Sequence, residues 1–258
     1  KRSYEKPNNS LNEIKLKNPN LLIKNFITYK NRLNFSGKSI INFLNEEILI
    51  NYLLQDNKIF IHSPNEGKDQ KIKINSKIEL DPFFAYTTIG IYEKDTNFLI
   101  DNLLYIVMNS KEYLGNMNGQ LTLAVSDLKN SVINEGKINF SIKEKAIELE
   151  NSIFKIKGIG IIKSDFRYYE NEGELIFASE NVFEIKNKKE FSRKFQLSSY
   201  SLKNLNRIYF DLEKNIDNNE ISISNIYFNK IDTKKFSDEI YTIKNLQVLK
   251  GLIRQLLL

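Results

Sequence analysis

Apolar and polar residues alternate with a two-residue period along Gly136–Ile156, which reads GKINFSIKEKAIELENSIFKI. The alternating apolar positions are Ile138, Phe140, Ile142, Ile147 and Leu149. Successive side chains of a β-strand point to opposite faces of its sheet, so this pattern predicts strands with one apolar and one polar face. A helix would space its apolar residues three or four positions apart. The segment therefore predicts a β-sheet whose apolar face needs a contact.

The same alternation recurs along most of the chain. Its clearest further instances are Lys71–Leu80, Gln120–Val125, Gly173–Ala178, Val182–Ile185, Arg207–Leu212 and Glu220–Phe228. Turn-forming pairs and triplets separate these segments, among them Asn118-Gly119 and Glu172-Gly173. Strands joined by short turns pair antiparallel. The sequence therefore predicts a mainly β fold built on a long antiparallel sheet.

Two segments carry helical spacing instead. Asp95-Thr96 is a candidate N-cap for an internal helix over about Asn97–Tyr113. The final segment, Lys244–Leu258, places leucines and one isoleucine at helical intervals and basic residues between them. This amphipathic C-terminal helix has three possible roles: it covers one end of the sheet, lies on an anionic membrane surface, or docks a partner.

The 258 residues, 41% of them hydrophobic and 27% charged, are typical of a globular chain. Residues 1–20 are polar and contain two prolines, so they are predicted to form an N-terminal tether or a loosely attached first strand. Residues 21–258 are predicted to form one continuous β domain. No uninterrupted apolar run reaches the length of about 18 residues expected of a membrane-spanning helix.

Composition argues against most catalytic chemistry. The chain has no cysteine, and His62 is its only histidine, so thiolate sites and multi-histidine metal sites are excluded. Four carboxylates lie close together at Asp165, Glu170, Glu172 and Glu174, but around a hairpin turn where acidic residues are normally solvated. The sequence therefore predicts a protein that is not an enzyme and uses no cofactor or metal.

The net charge of +6 arises from 38 basic and 32 acidic residues that are interleaved throughout. Nucleic-acid binding would concentrate the basic residues on one face, so no nucleic-acid partner is expected. The densest basic run, Lys186–Phe195, has two interpretations. In one, Lys188, Lys189, Arg193 and Lys194 contact anionic lipid headgroups. In the other, a short amphipathic helix packs its two phenylalanines on the sheet and keeps its basic residues in water.

The apolar face of the sheet also has two interpretations. Two sheets could close on each other as a sandwich. Alternatively, because only two helices are predicted to cover many strands, the face forms a groove for an apolar ligand. Removing acyl chains from water would stabilise such a complex by about 0.8 kcal/mol for each methylene.

Three stretches carry a family resemblance: KIELDPFF at Lys77–Phe84, EYLGNMNG at Glu112–Gly119 and IYFDLEKNI at Ile208–Ile216. In this order they resemble the C-terminal region of bacterial AsmA-like proteins, which are grouped with envelope proteins of the TamB and YhdP type. The resemblance runs from about Lys71 to the end of the chain. The resemblance lies in the order and general character of these stretches, because this family has no catalytic motif to compare.

The resemblance implies a strongly twisted antiparallel sheet curled into an apolar groove, in a periplasmic protein anchored to the inner membrane. Such proteins are thought to conduct phospholipids passively toward the outer membrane. The basic start, Lys1-Arg2, fits a membrane anchor upstream of this segment. The alternative is an envelope scaffold or assembly domain with a closed core and a protein partner. The predicted groove-lining residues are Ile138, Phe140, Ile142, Ile147, Leu149, Leu175, Phe177, Phe210 and Leu212.

Overall fold

A computed structural model provides the three-dimensional description of the chain. The described residues are 9–16, 21–31, 34–43, 46–64, 70–93, 118–128, 133–143, 146–198, 202–215, 220–229, 235–237, 240–243 and 246–257. Contacts group the chain into two compact units. Unit 1 comprises Lys1–Lys94, Ser110–Ser126 and Phe140–Ile147, and unit 2 comprises Asp95–Asn109, Asp127–Asn139 and Glu148–Leu258.

Unit 1 contains eight complete described strands, and each pairs with the next in the sequence. The strands are β1 (Asn9–Leu16), β2 (Leu21–Asn31), β3 (Asn34–Phe43), β4 (Glu46–Gln55), β5 (Lys58–His62), β6 (Ile72–Leu80), β7 (Phe83–Tyr92) and β8 (Gly119–Ser126). Strand β1 lies within the predicted tether and pairs with β2 along its whole length.

The register of unit 1 explains how its alternating residues form a core. Ile72 of β6, Ile91 of β7 and Val125 of β8 are opposite one another across three strands, and all three are buried. Directly opposed side chains lie on the same face of a sheet. The alternating isoleucines therefore form continuous apolar rows on one face.

Strands β7 and β8 are parallel, whereas the successive pairs from β1–β2 to β6–β7 are antiparallel. A parallel pair needs a crossover connection rather than a tight turn. The helix predicted over residues 97–113 falls in this connection and lies outside the described residues.

The described residues of unit 2 form six complete strands and two helices, and two further strands contribute residues to both units. The shared strands are β9 (Ile133–Lys143) and β10 (Ala146–Ile156). The others are β11 (Gly160–Asn171), β12 (Glu174–Ile185), β13 (Arg207–Asn215), β14 (Ile221–Phe228), β15 (Lys235–Ser237) and β16 (Tyr241–Thr242), with helices α1 (Lys188–Phe195) and α2 (Leu246–Leu257). The described pairs from β10 to β14 are antiparallel.

These observations confirm the predicted mainly β fold class, its antiparallel pairing and the C-terminal helix. Neither described helix combines the length and apolar composition that crossing a bilayer requires. The burial pattern of β10 changes parity within the strand, whereas one continuous alternation was expected along Gly136–Ile156. Ile147 is buried, but Glu150 and Asn151 are both exposed, after which Ser152 and Phe154 are buried. This change of parity leaves Ile153 45% exposed.

Candidate functional site

An extended apolar surface of unit 2 is one face of β10–β14. Ile162 of β11 lies opposite Phe154 of β10 and Phe183 of β12. Phe183 is in turn opposite Ile208 of β13, and Ile208 is opposite Phe228 of β14. The register therefore assembles an apolar row that crosses five strands.

The first cavity lies on this face and has a volume of about 210 Å³. Its walls are mostly apolar, with four polar residues among them. The lining residues are Leu128, Ile133, Ile138, Phe154, Ile162, Phe166, Phe177, Phe210, Leu212 and Ile221, together with Ser164, Ser179, Asn181 and Lys214. The ring of Phe166 stacks on Phe177 with centroids 4.8 Å apart and meets Phe154 edge-on at 6.0 Å.

Asn181 organises the polar part of the first cavity. Its amide oxygen accepts a hydrogen bond from the hydroxyl of Ser164 at 2.7 Å. Its amide nitrogen donates to the hydroxyl oxygen of Ser179 at 2.9 Å and to the carbonyl oxygen of Phe210 at 3.2 Å. The side chains of Ser164, Ser179 and Asn181 are buried, and buried polar groups destabilise the fold unless they are hydrogen-bonded. The network joins β11, β12 and β13.

Replacing Asn181 with alanine is expected to destabilise unit 2 by about 1–3 kcal/mol, because buried groups on Ser164 and Ser179 lose their partner. Chemical denaturation measures this change as a lower midpoint. The control is Asn171→Ala, since Asn171 is exposed next to the β11–β12 turn and is expected to change stability by less than about 0.5 kcal/mol. Equal effects of the two substitutions would contradict a stabilising network.

Lys214 is the one charged residue among the described residues that line the first cavity. It is only 5% exposed. Its register partners are Phe177 and Ile221, so the side chain lies on the apolar face. The first cavity is thus amphipathic, because a lysine, an amide and two hydroxyl groups interrupt its otherwise apolar wall.

The second cavity adjoins the first and also has a volume of about 210 Å³. The two cavities share Ile162, Phe210 and Leu212 as walls. The other walls of the second cavity are apolar as well, namely Ile156, Phe183, Phe195, Ile208, Ile223, Ile226, Phe228, Leu249, Leu252 and Ile253. We call the surface formed by the lining residues of both cavities the apolar trough.

Helix α1 closes the trough beside the second cavity. The side chain of Asn187 caps it by accepting a hydrogen bond from the backbone N–H of Glu190 at 3.1 Å. Phe191 is fully buried and contacts both Phe183 and Phe195, with ring centroids 5.8 and 4.6 Å away. Helix α2 contributes walls from its described side chains at Leu249, Leu252 and Ile253. An aromatic cluster and two helices thus frame one part of the trough.

The opposite face of the same strands carries ion pairs beside partly buried residues such as Val182 and Tyr209. The carboxylate of Glu184 forms ion pairs with Lys163 and Lys186, each at 3.1 Å, and with Arg207 at 3.5 Å. Hydrogen bonds from Lys186 and then Lys163 hold the pKa of Glu184 below its ordinary value. These ion-paired charges distinguish this face from the apolar trough.

The structure brings four of the predicted groove residues together: Ile138, Phe177, Phe210 and Leu212 all line the first cavity. The other described side chains in that set do not line either cavity. Phe140 and Ile147 are buried, Ile142 and Leu149 are partly buried, and the side chain of Leu175 lies outside the described part of the chain.

The predicted headgroup residues are all on α1, which confirms the short amphipathic helix with two buried phenylalanines. Lys188 donates to the carbonyl oxygen of Lys203 at 2.9 Å, and Arg193 pairs with Glu190. Lys189 is exposed and Lys194 is partly buried. Contact of these residues with lipid headgroups stays a prediction.

The described residues include no cluster of three or more His, Asp or Glu side chains arranged to hold a metal ion. Asp165 and Glu172 are exposed, and Glu174 is exposed next to the β11–β12 turn, while the side chain of Glu170 lies outside the described part. His62 is exposed and faces the side-chain amide of Asn51 at 3.5 Å. The trough is therefore the best-defined candidate site.

Several residues of the trough were not predicted from the sequence, notably Asn181, Phe183 and Lys214. A signal for the first two was present, because the two-residue period of β12 continues from Phe177 through Ser179 and Asn181 to Phe183. Polar residues in that series hid its continuity. No protein-family model, no curated protein and no solved structure matches this chain.

Proposed function

We propose that this protein binds the acyl chains of phospholipids in the apolar trough and passes them along it without making or breaking a bond. The observation that carries the proposal is the adjacency of two cavities that share three apolar walls. An apolar cavity of about 150 Å³ holds a benzene molecule. Each cavity here, at about 210 Å³, has room for a segment of an acyl chain.

The energetics favour a long apolar ligand over a compact polar one. Each methylene removed from water contributes about 0.8 kcal/mol, so several methylenes in the trough supply enough free energy for binding. The second cavity offers a polar ligand no side-chain hydrogen-bonding partner among its described lining residues. A flexible acyl chain also adapts to a surface made of isoleucine, leucine and phenylalanine without needing directed contacts.

We further propose that this takes place in the periplasm, in a protein anchored to the inner membrane, and that phospholipids move toward the outer membrane. This placement is supported by the resemblance of KIELDPFF, EYLGNMNG and IYFDLEKNI to AsmA-like proteins. The antiparallel β architecture and the apolar trough of unit 2 are consistent with that resemblance.

Native mass spectrometry after gentle purification tests the binding step. We expect adducts with the mass of phospholipids, which disappear after delipidation and return when the protein is mixed with phospholipid vesicles. A vesicle-to-vesicle transfer assay with fluorescent phospholipid tests the conduction step, and faster transfer with protein is expected. Absence of adducts both before and after incubation with vesicles would contradict the proposal and favour an envelope scaffold with a protein partner.

A further inference from the structure

Three lysines are each the immediate sequence neighbour of a residue that lines the second cavity. Lys157 follows Ile156, and Lys250 follows Leu249. Lys194 precedes Phe195. We call these three residues the lysine triad. The triad comes from three separate elements, namely the β10–β11 turn, α1 and α2.

Hydrogen bonds hold these elements against one another. The carbonyl oxygen of Ile159, in the β10–β11 turn, accepts from the backbone N–H groups of Lys186 and Asn187 at 2.9 Å each, which fixes the turn at the start of α1. The guanidinium of Arg254 in α2 donates to the side-chain oxygen of Gln196, directly after α1, at 3.0 Å. The three elements that carry the triad are therefore held together in one part of unit 2.

The charges of the triad act on one another. Burial, followed by the positive charges of Lys250 and Lys157, lowers the pKa of Lys194 below its ordinary value. Among the described residues, no carboxylate forms an ion pair with any member of the triad. Other cations of the same unit, such as Lys163 with Glu184, are compensated. An anion at this corner would relieve the mutual repulsion.

We propose that the lysine triad binds the phosphate of an anionic phospholipid, one of whose acyl chains occupies the second cavity. This inference rests on the proposed function, because it needs an acyl chain in the trough. The expected ligand is a lipid phosphate rather than free phosphate. The second cavity is lined by apolar side chains, which an acyl chain can contact and free phosphate cannot.

The same geometry selects between headgroups. A phosphatidylglycerol headgroup presents one negative charge to the triad and no positive charge. A phosphatidylcholine headgroup carries a quaternary ammonium next to its phosphate, and three neighbouring lysines repel it. The trough with its triad is therefore specific for net anionic phospholipids, while the acyl chains supply binding that both lipids share.

The test compares lipid retention by the purified, delipidated protein after incubation with vesicles of dioleoyl phosphatidylglycerol or dioleoyl phosphatidylcholine. The acyl chains are identical, so the ratio of the two bound lipids measures the headgroup effect. We expect about tenfold or greater preference for phosphatidylglycerol at low salt, weakening as salt is added. The Lys157→Gln, Lys194→Gln, Lys250→Gln triple variant is expected to lose this preference while still binding phosphatidylcholine.

The matched control is the triple variant Lys137→Gln, Lys155→Gln, Lys203→Gln, which removes the same charge from exposed positions of unit 2. It is expected to keep the preference. Loss of preference in the control, displacement of phosphatidylglycerol by millimolar inorganic phosphate alone, or equal binding of the two lipids by the native protein would each overturn the inference. Equal binding would leave the proposed function intact, whereas binding of neither lipid would contradict the proposed function itself.

Discussion

Replacing Phe140 with glutamate is expected to unfold unit 1. The Phe140 side chain is 1% exposed, so the substitution removes a fully buried aromatic ring, which typically costs about 3–5 kcal/mol. It also places a carboxylate in an apolar environment, at a further cost. The two costs together approach the total stability of about 5–15 kcal/mol that is usual for a domain. Thermal unfolding followed by circular dichroism measures the loss as an absent or strongly lowered transition.

The control for this substitution is Phe60→Glu, in the same unit. Phe60 is 39% exposed and lies opposite Lys77 in the register of β5 and β6. A glutamate there gains a cationic neighbour and is expected to change stability by less than about 1 kcal/mol. If Phe140→Glu left the protein as stable as Phe60→Glu, Phe140 would belong to an open groove wall, which is one of the two interpretations of the apolar face that the sequence leaves open.

The strands were predictable from the sequence because their signal is local. The two-residue period specifies which residues share a face, and turn residues mark where a strand ends. The segment Lys71–Leu80, for example, corresponds closely to β6, and the segment Gly136–Ile156 covers most of β9 and all of β10. The change of parity at Glu150 and Asn151 also has a local signal, because Ile147 and Leu149 occupy odd positions whereas Phe154 and Ile156 occupy even ones. The expectation of one continuous alternation along Gly136–Ile156 did not take this shift into account.

Strand β12 shows why part of the candidate site could not be predicted. The sequence indicates two strands, Gly173–Ala178 and Val182–Ile185, because Ser179 and Asn181 interrupt the apolar series. In the structure the strand is continuous, since Asn181 finds partners on β11 and β13. Those partners are distant in the sequence, so their pairing depends on tertiary register. A buried polar network is therefore visible only once the sheet is assembled.

The helices show the same division between local and tertiary information. The spacing of Phe191 and Phe195 predicted that both would pack on the sheet, and both are buried. The leucine pattern of the last segment likewise predicted helix α2. Leu252 of α2 and Ile156 of β10 line the same cavity although they are far apart in the sequence. No local sequence pattern specifies such a tertiary contact.

Replacing Phe210 with glutamate is expected to abolish lipid binding while unit 2 remains folded. Phe210 lines both cavities, so one carboxylate there affects the whole length of the trough. The residue is only partly buried and lies at a register irregularity between β13 and β14, which gives the new side chain access to water in the lipid-free protein. A bound acyl chain would remove that water. Desolvating the carboxylate costs at least about 3 kcal/mol, which corresponds to roughly a hundredfold weaker binding.

The matched control is Tyr209→Glu, on the adjacent position of β13. Tyr209 is also partly buried but pairs with Val182 and Tyr227 on the opposite face of the sheet. Both variants gain one negative charge in the same strand, so a general electrostatic effect on vesicle binding would appear in both. We expect phospholipid adducts in native mass spectra of Tyr209→Glu and none for Phe210→Glu, with matching circular dichroism spectra. Unchanged adducts in a folded Phe210→Glu variant would contradict phospholipid binding in the trough, because Phe210 is one of the three walls that both cavities share.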